Sequence, residues 1–343
     1  SGYFNACLLD LGHQSDLFFS SQAAYSAAPF TDSQFDWVSR HYSWDEQPDS
    51  DALDQDLRSF KPDIILSSSW NVKGYWPILR HQNGKSFRVI CMDNNWLGTP
   101  KQYVGILTAP MFIQKLGDAA WVAGERQTLF AHRLGFSQAR ILRGVYSCDH
   151  DSFAAAHRAR TKSVWAQNFL FTGRFVKEKG ISTLVEAYRL YRQASVTTPW
   201  TLRCCGAGPL KSLLENQPGI ILEGFVQPAE LPDKFLASGA FVMPSIFEPW
   251  GVALHEAAAA GLPLIASEAV GSTPHLLQYG YNGYICEPSD PAHLAKLMLT
   301  IANAPESALR QMGEGSYNLS LQFTPRLWTR RLLDAWRMNS SEC

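Results

Sequence analysis

The stretch SIFEPWGVALHEAAAAGLPLIAS (245–267) carries two carboxylates eight residues apart, Glu248 and Glu256. An apolar run ends near Ser245 and a helical pattern begins near Gly251, so the order is strand, tight loop, helix. A helix N-terminus offers free N–H groups and the positive end of a dipole, which suit phosphate or sugar oxygens. Glu256 follows Val252 by four, on the face that looks back toward that N-terminus. A carboxylate placed there can accept two hydroxyls of a diol such as a ribose. The plainer alternative makes Glu248 a helix cap and Glu256 an exposed side chain. The Ala, Leu and Gly around Glu256 leave it little reason to be solvated.

A second stretch, FLFTGRFVKEKG (169–180), puts Arg174 and Lys179 in the loop between a strand and a helix. Two cations at a strand's carboxyl end can grip a diphosphate, Arg through its bidentate fork and Lys as a point charge. Taken by itself, a basic loop after a strand is more often solvated surface.

The elements that must hold these loops follow from the alternation of apolar runs with helical-period segments, which predicts parallel sheets covered by helices. In the first half the strands are DIILSSS (63–69), FRVICM (87–92), DAAWVA (118–123) and ARILRGV (139–145), with a helix over 124–134. In the second half they are NFLFTG (168–173), TLRCCG (201–206), GIILEG (219–224), AFVMPS (240–245) and LPLIAS (262–267), with helices over 180–194, 209–215, 229–237 and 251–260. Residues 154–166, Ala-rich and basic, read as a linker. The expected fold is α/β, two Rossmann-like domains facing an interdomain cleft. The N-terminal domain is expected over 1–160, the C-terminal domain over 161–320, and a helix crossing back over 321–343, with a break at Pro325. SGYFNACLLDLG reads as a loop then a helix with no strand in front, which suggests that the first strand is missing.

Composition narrows the class. The 343 residues are about twice the roughly 150-residue domain prior. A net charge of −1 from 30 basic and 31 acidic residues is no nucleic-acid platform. No apolar run approaches the ~18 residues of a membrane span, and the first residues lack a basic signal-peptide start. Seven cysteines without a C-x-x-C fit reduced thiols in a cytoplasmic protein.

Together, G-R-x-x-x-x-K-G at 173–180, G-F-V at 224–226, E-P-x-G-x-x-x-x-E at 248–256 and A-x-G-x-P behind it resemble the retaining GT-B glycosyltransferases of family four, over about residues 165–300. The resemblance implies that Glu248 contacts the transferred sugar and Glu256 the nucleotide ribose. It gives the donor diphosphate to Arg174 and Lys179, beside Gly173, and the base to Phe225 and Val226. It aims the main chain of Trp250, Gly251, Val252 and Leu254 at sugar and phosphates, and sets Gly2 in a glycine loop near them. Asp93, Asn94 and Asn95 stand where the family often has a His. They become sugar or acceptor contacts, and no catalytic His is carried over. The reaction so implied moves a hexose from a nucleoside-diphosphate sugar, UDP-glucose by preference, to a saccharide or lipid-linked acceptor in polysaccharide synthesis. It retains configuration and uses no metal and no cofactor besides the donor. Nucleic acid is excluded as a partner, and weak peripheral membrane contact is expected. The competing classes are a nucleotide-sugar epimerase of the same fold and a non-catalytic sugar binder.

Other patterns carry less. Asp49-Ser50-Asp51 spells a metal-binding D-x-D, but Ser50 or Asp51 as a helix N-cap explains it. His255 points about 100° away from Glu256 and is expected to pack or face solvent. Gly206-Ala207-Gly208 reads as a turn. Trp70, Trp76 and Trp96 serve either an acceptor site or the core.

Overall fold

Short apolar runs become strands, and each main sheet built from them is entirely parallel. The computed structural model describes residues 2–20, 37–38, 40–42, 49–68, 70, 73–160 and 164–341. It divides into two units: one built on most of the chain up to Tyr146 together with the tail from Pro325, the other on Ser147–Thr324.

The chain opens on α1 (Gly2–Gly12), so Gly2 starts a helix rather than lying in a loop before it. The paired strands β1 (Phe18–Ser20) and β2 (Arg40–Tyr42) precede α2 (Ser50–Phe60). Then come β3 (Ile64–Ser67), α3 (Trp76–His81), β4 (Phe87–Met92), α4 (Pro100–Thr108), β5 (Ala119–Val122), α5 (Glu125–Arg133) and β6 (Ile141–Arg143). The sheet runs β3-β4-β5-β6 over a core of Ile90, Met92, Val122, Phe130 and Phe136. Asp49 is the N-cap of α2, accepting from the N–H groups of Asp51 (3.1 Å) and Ala52 (2.8 Å). The cap is thus the first Asp of the D-x-D, one residue before Ser50, because its carboxylate reaches two of the helix's free donors.

The second unit holds α6 (His150–Arg160), β7 (Asn168–Thr172), α7 (Ile181–Ala194), β8 (Thr201–Cys205), α8 (Lys211–Leu214), β9 (Ile220–Gly224), α9 (Leu231–Leu236), β10 (Ala240–Met243), α10 (Val252–Ala259), β11 (Leu264–Ser267), α11 (Thr273–Leu276), β12 (Gly283–Cys286), α12 (Pro291–Ala302) and α13 (Glu306–Ser320). Its sheet order is β12-β11-β10-β7-β8-β9. The chain builds outward from β7 in one direction and from β10 in the other. The switch point therefore lies between β7 and β10, and in open α/β sheets ligands bind outside the carboxyl ends of the strands there. β7, β10 and β11 are buried throughout, as a sheet covered on both faces requires.

The expected linker is mostly helix, and the boundary falls at Tyr146/Ser147 instead of 160/161. α6 packs on α9 and α10 through Phe153, Ala154 and Ala156. Its buried Arg160 donates to the carbonyls of Phe235 (2.6 Å), Leu236 (3.2 Å) and Ala260 (3.3 Å), so the cation is held by main-chain oxygens. The tail breaks as expected: α13 ends at Ser320 and α14 (Pro325–Ser341) begins at the proline. In the first unit Trp328 of α14 stacks on Trp121, 4.6 Å between ring centroids, and donates its indole N–H to Val145 (2.9 Å).

Gly180 joins Lys179 to α7 with φ +70°, and a Cβ there would lie 2.1 Å from the Pro244 carbonyl oxygen. Gly180→Ala combines left-handed strain with overpacking against main chain, each costing about 1–3 kcal/mol. It is expected to lower the urea midpoint of the unit by the equivalent of at least about 2 kcal/mol. An unchanged midpoint would show that the loop can retreat from Pro244.

Candidate functional site

The loops after β7 and β10 meet at the switch point. The Glu178 carbonyl accepts from the N–H groups of Ile246 (2.8 Å) and Phe247 (3.2 Å), tying one loop to the other through main chain. Beside this tie the Lys179 ammonium is paired with the Glu248 carboxylate, the two side chains only 18% and 12% exposed. No local pattern signals that pairing, since the residues are 69 positions apart. Gly173 starts the loop, its N–H on the Cys205 carbonyl at 3.0 Å. Arg174 follows, exposed, with no acceptor for its guanidinium among the described residues.

The Glu248 loop ends on Gly251, the N-cap of α10, at φ +93°. A Cβ at Gly251 would meet Val270 at 2.8 Å and Glu248 at 3.2 Å, so close approach as well as φ demands glycine. Among the described residues the N–H groups of Gly251 and Val252 have no protein acceptor, whereas that of Leu254 donates to the Gly251 carbonyl at 3.0 Å. The Trp250 indole is buried against His275 and Phe323, which leaves only its main chain for a ligand. Leu254, His255, Ala257, Ala258 and Ala259 bury the rest of α10. Its one half-open face is formed by Val252, Ala253 and Glu256. Phe225 and Val226 follow β9, half-buried.

Burial, helped by repulsion from Asp149, pushes the Glu256 carboxyl up to about 7. Asp149 sits just before α6 and accepts from the Ser152 hydroxyl at 2.6 Å. Its bearing on Glu256 is tertiary and has no signature in the sequence. His255 is fully buried and pushed down to about 3 by desolvation and by His150. Its Nδ1 accepts from the Cys148 N–H (3.2 Å) and its Nε2–H faces the Ser320 carbonyl (3.3 Å). Both nitrogens are engaged, so His255 is a neutral structural link.

Asp93, Asn94 and Asn95 lie in the first unit, after β4. The Tyr146 hydroxyl donates to Asp93 Oδ2 (3.1 Å), and the Gln127 amide donates to Asn95 Oδ1 (2.7 Å) and to the Asp93 carbonyl (3.4 Å). Asn94 is exposed. Tyr146 and Gln127 are partners that the sequence reading missed. Trp70 and Trp96 pack on Phe130, at 6.1 and 5.8 Å, and Trp76 on Phe112 at 5.9 Å, so all three lean on the core of the unit. Among the described residues no three His, Cys, Asp or Glu side chains are grouped to hold a metal ion. Nor is any helix of the described residues long and apolar enough to cross a membrane.

This arrangement is that of a GT-B protein, and residues 156–318 match the family model "Glycosyl transferases group 1". That segment, a little under half of the chain, is similar to the group 1 glycosyltransferases. The glycogen synthase of Mycobacterium tuberculosis is 29% identical over 196 residues, 55% of this chain and 46% of that protein. The chain thus spans about half the length of the curated relatives it matches first. Among solved structures, a glycosyltransferase from Rickettsia africae superposes with a TM-score of 0.74 at 15% identity, covering 98% of this chain and 93% of that one. A trehalose-6-phosphate structure from E. coli, bound with UDP-2-fluoro glucose, gives 0.72 at 12% identity, covering 98% and 96%.

Proposed function

We propose that this chain transfers a hexose, with retention of configuration and without a metal, from a nucleoside-diphosphate sugar to a saccharide or lipid-linked acceptor in the cytoplasm. The observation that carries the reading is the meeting at one switch point of Arg174, Lys179 and Glu248 with the open face of α10 bearing Glu256. The bond from the anomeric carbon to the phosphate oxygen breaks while the bond to an acceptor hydroxyl forms. The acceptor proton passes to the leaving phosphate oxygen, so no protein base is needed. Charge gathers on the diphosphate, and Arg174, Lys179 and the N–H groups of Gly251 and Val252 are positioned to receive it. Glu256 binds the ribose, and Glu248 turns toward the sugar as the diphosphate takes over its cation. UDP-glucose is the first donor to try, because the E. coli structure of the same fold holds a UDP-glucose analogue.

Two further features support the acceptor side. Asp93, held by the Tyr146 hydroxyl, and Asn95, held by the Gln127 amide, offer polar groups for a sugar. α4 has no buried residue, leaves Leu107 78% exposed beside Tyr103 and Val104, and carries the exposed Lys101, which suits weak contact with a lipid surface.

The test is thermal stabilisation by UDP, GDP, ADP and their sugars without added metal. A nucleotide at a hundred times its Kd adds about 2.7 kcal/mol. A shift selective for UDP and UDP-glucose, lost in Glu256→Ala, is expected. No shift with any nucleotide would overturn the donor site and favour the sugar binder. Donor conversion without an acceptor, releasing no UDP, would favour the epimerase.

A further inference from the structure

A second cleft, of about 300 Å³, opens between the last turns of α7 and the start of β9. Ile220 is the first residue of β9, and β7, β8 and β9 are parallel. The cleft therefore lies toward the amino ends of the strands, whereas Arg174, Lys179 and Glu248 follow carboxyl ends. Five-residue strands separate the two ends by about 16 Å.

The cleft has a divided chemistry. Tyr188, Pro218 and Ile220 give it apolar surface, and Gln193 and Gln217 line it with amides. Arg189 and Arg192 supply its charge, but they are not equivalent. The Arg189 fork is taken by Glu186, at 2.9 and 2.6 Å. Arg192 has no carboxylate at ion-pair distance among the described residues, and its Nη1 is screened from water without any acceptor among them. Tyr188 does not fill that need: its hydroxyl donates toward the carbonyls of Trp200 (2.9 Å) and Gly219 (3.0 Å), and its oxygen takes no hydrogen bond from Arg192. A cation in the last turn of α7 does offset the negative end of the helix dipole. That accounts for the residue type and leaves the donor unpaired, a costly state for a group shielded from water.

We infer that this cleft is a binding site for a small organic oxyanion, a phosphate monoester or a carboxylate. Its oxygens sit on the Arg192 guanidinium, which turns slightly to bring its shielded Nη1 to them, and its uncharged body lies against Tyr188, Pro218 and Ile220 within reach of the two glutamine amides. A guanidinium takes paired oxygens of either kind in the same bidentate geometry. The inference does not depend on the chain being a glycosyltransferase, since it concerns the other end of the sheet.

The experiment is isothermal titration of the full chain, at matched ionic strength, with inorganic phosphate, glucose 6-phosphate and citrate. Arg192→Gln, Arg192→Lys and Arg174→Ala are titrated beside the wild type. Saturable binding of at least one probe below about 10 mM is expected. It should weaken about tenfold or more in Arg192→Gln, weaken less in Arg192→Lys, and persist in Arg174→Ala. Glucose 6-phosphate binding above inorganic phosphate assigns the site to phosphate esters, and a citrate preference assigns it to carboxylates. Melting curves of the two Arg192 variants show that they are folded, and Arg192→Lys serves if Arg192→Gln is not. No saturable binding overturns the inference. So does binding that survives Arg192→Gln and disappears in Arg174→Ala, which belongs to the loop after β7.

Discussion

Lys179→Ala is expected to lower the rate of UDP release from saturating UDP-glucose by about 10²–10³-fold, the loss typical of one preorganised contact to developing charge. The contact is preorganised here in a specific way. Lys179 closes a helical turn that ends on Gly180, and the Glu178 carbonyl is held by two N–H groups of the opposite loop. Glu248 then fixes the ammonium within a largely shielded pair. On the proposed reading, an incoming diphosphate would meet a cation already in place and displace a carboxylate from it. The loss should fall mainly on turnover, because the charge on the leaving group grows toward the transition state. Alanine also strands Glu248, so the single variant does not separate the two effects. The cycle of Lys179→Ala, Glu248→Gln and the double variant does. If Lys179 served only to neutralise Glu248, the double variant would be no slower than Glu248→Gln, and the diphosphate role would fall. Arg174→Ala, at an exposed and unpaired position, should cost less, about tenfold.

The same loops show what a sequence can carry. β7, β10 and β11 were legible because continuous apolar runs in a covered parallel sheet need no periodicity to be seen. The charged residues of the two loops stood out because they directly follow such runs. Their pairing is set by strand order, and no local pattern shows that β7 neighbours β10. α6 was misread for a related reason. Its buried surface is largely alanine, and its Arg160 looks like a solvent charge until the carbonyls of α9 and Ala260 are brought to it. β12 has only four residues, two of them half-buried, and escaped notice with α12 and α13 after it. The D-x-D was rightly read as a cap, although the capping side chain is the first Asp.

Glu256→Gln should make the ligand-free protein more stable at pH 8 and weaken its hold on the nucleotide. In the folded chain the carboxyl is pushed from an ordinary 4.5 to about 7, by burial first and Asp149 second. The folded state thus keeps the proton more tightly than the unfolded one. Stability consequently falls as pH rises from about 4.5 to about 7, and stays low above that. The full shift corresponds to about 3 kcal/mol, less where solvent reaches the half-open face of α10. Glutamine has the shape of the protonated acid, so variant and wild type should unfold alike at pH 5 and diverge by about 1–3 kcal/mol at pH 8. Binding should run the other way. Only the ionised carboxylate accepts from both ribose hydroxyls, so wild-type affinity for UDP should climb through pH 7. The variant should bind about 10–100-fold more weakly above that pH, with little dependence on it. Denaturation and titration across pH 5–8 read both arms on the same pair of proteins. Parallel stability profiles would mean that water reaches Glu256 freely and that the carboxylate is a surface group. A divergence in stability without a change in UDP affinity would mean that the buried charge serves something other than the ribose.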